Sequence, residues 1–123
     1  KYLVRIKTNL FIIGGAHMNK NEISVIIPAY QPDEKLVDTL KGLVTAGFSD
    51  ILVVNDGSGT DYAHVFEKVA EIEACTILEH PQNRGKGAAL KTAFAYFLRN
   101  RSDKRKRRTV LLFCIRSSFS GRN

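Results

Sequence analysis

The chain has 123 residues, enough for one small domain with its own core and too few for two. Its formal charge of +7 is unevenly spread: residues 1–17 carry three cations and no acid, and residues 99–123 carry nine cations against Asp103 alone, whereas residues 18–98 hold seven basic and eleven acidic side chains. That mildly acidic middle argues against a basic nucleic-acid-binding face on the folded part, and no run approaches the ~18 apolar residues needed to cross a membrane.

Lys1 to His17 sets cations before Leu10-Phe11-Ile12-Ile13, but this apolar core is short of the ~7–15 residues of a signal peptide. Met18 is the sole methionine and directly precedes the first ordered-looking segment, so residues 1–17 are expected to be an extension foreign to the fold. Ile23 to Ile27 is a compact apolar run closed by Pro28, as in a fully buried strand. From Asp33 to Ala46, Leu36, Leu40, Leu43 and Val44 recur at helical spacing, and Gly47 ends the helix.

Ile51 to Val54 is a second buried strand that runs into Asn55-Asp56-Gly57-Ser58. Tyr62, Val65, Phe66 and Val69 then share a helical face, with Ser58 or Thr60 available as N-cap. Cys75 to Leu78 predicts a third, shorter strand, and Gly87 to Leu98 a third helix with Leu90, Ala93, Phe94 and Phe97 facing inward. The alternation β-α-β-α-β-α with short links allows only right-handed crossovers and a parallel sheet. The expected fold class is α/β, an incomplete doubly wound Rossmann-like sheet.

Seven cations in ten residues, Arg99 to Arg108, then break the pattern; such a block is usually solvated. Thr109 to Ile115 is a candidate fourth strand. Cys75 and Cys114 are too few and too far apart for a disulfide framework or a zinc site, and read as buried thiols in a reducing compartment. His17, His64 and His80 show no ligand spacing and read as structural or solvated, although His80 lies near the third motif below.

Three short motifs each follow an apolar run, so a parallel sheet projects all three from one edge, where α/β proteins bind nucleotides. In Pro28-Ala29-Tyr30, proline stops the ladder, the small residue leaves room and the aromatic ring can pack near a base; the same residues also read as a plain strand terminus. Asp56 can accept a hydrogen bond from a pyrimidine imide N–H or the guanine N–H edge. Asn-Asp-Gly-Ser is also turn chemistry in its own right. In Asn83-Arg84-Gly85-Lys86-Gly87 the glycines permit close backbone approach, the helix start offers N–H donors to phosphate, and Lys86 adds a point charge suited to a diphosphate. The residue after Lys86 is Gly rather than Ser or Thr, which excludes a Walker A loop, and a solvated loop is the alternative.

In order and spacing together, Ser24-Val25-Ile26-Ile27-Pro28-Ala29-Tyr30, Ile51-Leu52-Val53-Val54-Asn55-Asp56-Gly57-Ser58 and Asn83-Arg84-Gly85-Lys86-Gly87-Ala88-Ala89 resemble the inverting family 2 glycosyltransferases of the GT-A fold. The closest likeness is to the branch of dolichyl-phosphate and polyprenyl-phosphate sugar transferases, over Ile23 to about Leu98. The resemblance implies a nucleotide-binding set of Pro28, Ala29, Tyr30, Asp56, Gly85 and Lys86, with Pro28 and Tyr30 lining the base and ribose pocket, Asp56 on the base and Lys86 near the diphosphate. It implies a UDP- or GDP-sugar donor, an acceptor that is a candidate polyprenyl phosphate, and a divalent cation (Mg2+ or Mn2+) on the leaving diphosphate.

The family's Asp-x-Asp motif follows its fourth strand, but here Ile115-Arg116-Ser117 occupies that place and the last acid is Asp103. A hard cation needs oxygen ligands, and this segment offers hydroxyls only. The expected organisation is therefore a foreign-looking extension (1–17), the sugar-nucleotide-binding half of a GT-A domain (18–98), and a basic divergent tail (99–123) produced by a frameshift or truncated frame. Such a chain is expected to be cytoplasmic, to lack the acceptor half and to be inactive alone. The competing expectation is a non-catalytic nucleotide-binding module whose basic tail holds an anionic polymer or lipid.

Overall fold

The computed structural model describes residues 22–100 and 109–114 in full, and the backbone of 2–4, 12–13 and 16–17. In chain order the elements are β1 (Tyr2–Val4), β2 (Ile12–Ile13), β3 (Ala16–His17), β4 (Ile23–Ala29), α1 (Glu34–Thr45), β5 (Ile51–Asp56), a 3-10 turn (Thr60–Tyr62), α2 (Ala63–Ala70), β6 (Cys75–His80), α3 (Lys86–Asn100) and β7 (Thr109–Leu112). The basic run expected at 99–108 lies almost wholly outside the described residues.

One parallel sheet carries the fold, in the order β1-β7-β4-β5-β6; β2 and β3 pair separately as a short antiparallel ribbon. The candidate fourth strand is thus real and lies beside β4, on the side away from β5. Strands β4, β5 and β6 step outward in sequence order while β7 returns to the other side of β4. That reversal makes the fork between β4 and β7 the topological switch point of the sheet.

β4 is buried along its whole length, and its alternation divides the core in two. Ile23, Val25, Ile27 and Ala29 pack with Leu36, Val37, Leu40 and Leu43 of α1 and with Val65, Phe66 and Val69 of α2. Ile26, with Leu52 and Val54 of β5, packs on the opposite face against Ala89, Ala93 and Phe97 of α3. In α1 the burial of Leu36, Leu40 and Leu43, each about 1.5–3 kcal/mol, outweighs the ~1 kcal/mol cost of the mid-helix Gly42. Asp33 caps that helix by accepting from the Lys35 N–H at 2.9 Å. Val37 takes a core position that the sequence reading assigned to Val44, which lies in the last turn and is 39% exposed.

Pro28 does not end the strand. β4 continues through Pro28↔Val54 to Ala29↔Asn55. Val25 donates toward the β5 side, to Asp50 O, and Ile26 O accepts from Phe113 on the β7 side. Backbone groups alternate sides along a parallel strand, so Pro28 faces β7 beyond the last pair, Ile26↔Leu112. Among the described residues no ladder pair remains there to miss its absent N–H. Strand β6 and helix α3 likewise run longer than expected, to His80 and to Asn100.

Candidate functional site

The three motifs emerge from the C-terminal edge of the sheet, as the sequence reading required, but they do unequal jobs there. Beyond β4, Gln31 adopts φ 51 and its N–H donates to Ser58 Oγ at 2.9 Å, tying the loop after β4 to the loop after β5. Ser58 N–H in turn donates to Asn55 Oδ1 at 3.1 Å. Ser58 is therefore a clasp between loops and not the expected helix cap; the N-cap of α2 is Tyr62, which makes no side-chain capping bond.

Asp56 ends β5 with 0% exposure, and three donors and an imidazole nitrogen converge on its carboxylate. Oδ1 accepts from Arg84 N–H at 2.9 Å and lies 2.8 Å from His80 Nδ1. Oδ2 accepts from Gly85 N–H at 2.8 Å and from Asn83 Nδ2 at 3.1 Å. A carboxylate has about four lone-pair sites, so its capacity is met from inside the protein. The same Asn83 amide also reaches Asp56 O at 3.3 Å. The 83–85 loop is wrapped around Asp56, and Gly85 takes φ 95 to present its N–H to it.

Behind this carboxylate stands His80, 5% exposed, whose Nε2 lies 2.7 Å from Thr92 Oγ1 on α3. Sequence reasoning read His80 as structural or solvated, noting only that it lies near the third motif, and passed over Thr92. The only available signal was that Asp56 and His80 each close a strand; their pairing as register neighbours across β5 and β6 belongs to the sheet.

Of the six expected nucleotide-binding residues, Tyr30 and Gly85 are partly exposed and Lys86 is exposed. Pro28, Ala29 and Asp56 are buried, and Ala29 faces the α1–α2 core. Lys86 opens α3, and its ammonium lies 3.6 Å from Cys114 Sγ, two residues past β7, which brings it to the switch-point fork. A groove of about 740 Å³ lies elsewhere: Ser58, Phe66, Glu67, Ile77, Glu79 and Pro81 are among its lining, and none of the six expected residues is.

No cluster of three or more His, Cys, Asp or Glu suited to a metal exists among the described residues. The place where the family's carboxylates are expected, Ile115-Arg116-Ser117, lies outside the described residues; just before it, Cys114 has the Lys86 ammonium against it. Neither of these two side chains offers the oxygen ligands that a divalent cation takes. Neither cysteine forms a disulfide, and both are partly buried. Burial pushes the Cys75 thiol up from 9.0 to about 11. No helix among the described residues is long and apolar enough to cross a membrane.

An open, doubly wound parallel sheet whose glycine-containing loop and helix start meet at the switch point defines an α/β domain of the Rossmann-like class. Residues 24–99 match the profile of glycosyl transferase family 2, and the chain belongs to that family. It is 37% identical over 75 residues to the uncharacterized protein MJ1222 of Methanocaldococcus jannaschii, covering 61% of this chain and 29% of that one. It is also 37% identical over 79 residues to dolichyl-phosphate beta-glucosyltransferase ALG5D of Trichomonas vaginalis, covering 55% of this chain and 24% of that protein. The chain thus spans well under a third of the length of these curated relatives. No solved structure matches it.

Proposed function

We propose that this chain is the donor-binding part of a glycosyltransferase that uses a nucleoside-diphosphate sugar and transfers the sugar with inversion. The observation that carries the reading is the placement of Lys86 and the first turn of α3 at the β4–β7 fork. The N–H groups of a helix start and a lysine charge suit the two phosphates of a leaving nucleoside diphosphate. Tyr30, at the mouth of β4 and partly exposed, is the candidate for packing against the base or ribose. Asp56 as a base contact remains part of the reading, and requires the base to displace one of the donors now on its carboxylate.

The name of one relative, a dolichyl-phosphate glucosyltransferase, supports a polyprenyl phosphate as the acceptor class. In the proposed reaction the acceptor oxygen attacks the anomeric carbon as the bond to the diphosphate breaks. The leaving group's new charge is met by Lys86 and by the α3 N–H groups. No group of three or more His, Cys, Asp or Glu suited to a metal occurs among the described residues, and Ile115-Arg116-Ser117 stands where the Asp-x-Asp motif is expected, so the 123-residue chain is expected to bind the donor without transferring sugar.

Calorimetric titration of the full chain with UDP, GDP and ADP tests the reading. Saturable binding of UDP or GDP, weakened in Lys86→Ala, supports it. Failure of every nucleoside diphosphate to bind the folded chain overturns it.

A further inference from the structure

We infer that His80 and Thr92 are positioning residues for the 83–86 loop, acting through Asp56. This rests on the reading of that loop as the diphosphate-facing element. The three donors Asn83 Nδ2, Arg84 N–H and Gly85 N–H leave the Asp56 carboxylate one acceptor site, the one that faces His80, and as a carboxylate it has no proton to give there. The fourth group, His80 Nδ1 at 2.8 Å, must then be a donor as well, because two acceptors cannot share that distance.

Nε2 of the same ring faces Thr92 Oγ1 at 2.7 Å. A hydroxyl both donates and accepts, so Thr92 O–H donating to Nε2 leaves a neutral ring with its proton on Nδ1. The ring's placement sets Nδ1 toward Asp56, and the hydrogen on Thr92 decides that this nitrogen carries the ring proton.

The geometry closes a circuit. Thr92 stands six residues into α3, whose own first residue is Lys86. From Thr92 the chain of contacts passes to His80 at the end of β6, to Asp56 at the end of β5, and back to Arg84 and Gly85 immediately before Lys86. Two strand ends and two points of one helix are thus fixed relative to one another, with His80 and Asp56 at 5% and 0% exposure. A side-chain network in so dry a place holds its members in one arrangement because an unpaired member is costly. Its product is a fixed direction for Lys86. Neither His80 nor Thr92 needs to touch substrate.

Four substitutions separate this role from general stability, read by NMR of the isotope-labelled full chain together with UDP and GDP titration. In the wild type the His80 ring nitrogens are expected to report a neutral Nδ1–H tautomer. The Arg84 and Gly85 amide protons are expected downfield, as donors to a carboxylate. Thr92→Val is expected to release the tautomer, move both amides upfield and weaken nucleotide binding about 5- to 10-fold, the scale of one net hydrogen bond; Thr92→Ser is expected to restore all three.

His80→Asn sets an amide nitrogen where Nδ1 stands and is expected to hold the two amides. His80→Gln sets its amide nearer Thr92 and is expected to lose them. An Nε2–H tautomer or an imidazolium in the wild type overturns the inference, as does a Thr92→Val chain with unmoved amides, or His80→Asn and His80→Gln behaving alike. The NMR signatures present in a wild type that binds no nucleotide refute the donor-binding reading while supporting the positioning of the loop.

Discussion

The backbone of Asn83 lies directly over Gly57, so that a Cβ built on Gly57 would run into Asn83 N and into the carbonyl carbon of Gln82. Gly57 also sits at φ 69, the left-handed region. Both constraints follow from Asp56: drawing the 83–85 loop down onto a buried carboxylate presses its backbone onto the next residue of β5's own turn. Glycine is required twice over, for conformation and for space.

Gly57→Ala is therefore expected to cost more than the ~1–2 kcal/mol of a left-handed alanine alone, since the neighbour to be moved is backbone. Urea denaturation measures this, and a loss below ~1 kcal/mol would show that the loop can lift off Gly57 freely.

Asp56→Asn keeps the shape and removes the function. An amide has one acceptor oxygen and turns an NH2 toward either the Arg84–His80 pair or the Gly85–Asn83 pair of donors. At least two buried or part-buried donors lose their acceptor, at about 1–3 kcal/mol each where buried. A destabilisation of about 2–4 kcal/mol in urea denaturation is expected; a change under ~0.5 kcal/mol would mean that the carboxylate does not organise the loop.

Lys86→Ala should separate binding from folding. The side chain is exposed, so stability is expected to move by less than ~0.5 kcal/mol. Affinity for UDP or GDP is expected to fall about tenfold, on the scale of a charge-assisted contact, and to lose part of its salt dependence. Titration at low and high salt reads both quantities, and unchanged affinity would remove Lys86 from the site.

The two thiols should react unequally. With Cys75 at about 11, roughly one part in a thousand is thiolate at pH 8, so iodoacetamide at that pH is expected to label Cys114 well before Cys75, read by mass spectrometry of the peptides. The linkage has a definite sign. A folded-state value above the ordinary 9.0 means the native state keeps the proton longer, so this contribution to stability is complete below pH 9 and fades as pH rises toward 11. Cys75→Ala should flatten that part of the alkaline decline.

Much of the molecule was legible in the sequence. Apolar runs at Ile23, Ile51 and Cys75, separated by helical periods, dictated a parallel α/β sheet, and the ends of those runs, at Pro28, Val54 and Leu78, dictated that the motifs share one edge. Burial on both faces leaves such runs no other arrangement. A helix beginning at Asp33, with Leu36, Leu40 and Leu43 as core, was an equally local matter.

What only the tertiary structure decided was the partner of each polar group. Pro28 could continue its strand because β7 had already diverged at Ile26, a relation to a strand more than 80 residues later. Ser58 capped no helix because Gln31, 27 residues earlier, claimed its hydroxyl. Asp56 faced inward because the loop 27 to 29 residues on closed over it, with His80 and Thr92 behind. Hydrophobic periodicity is a property of neighbouring residues and survives in one dimension; a hydrogen bond requires two atoms within about 3 Å and a fixed angle, and for groups this far apart in the chain only the register of the assembled sheet supplies that.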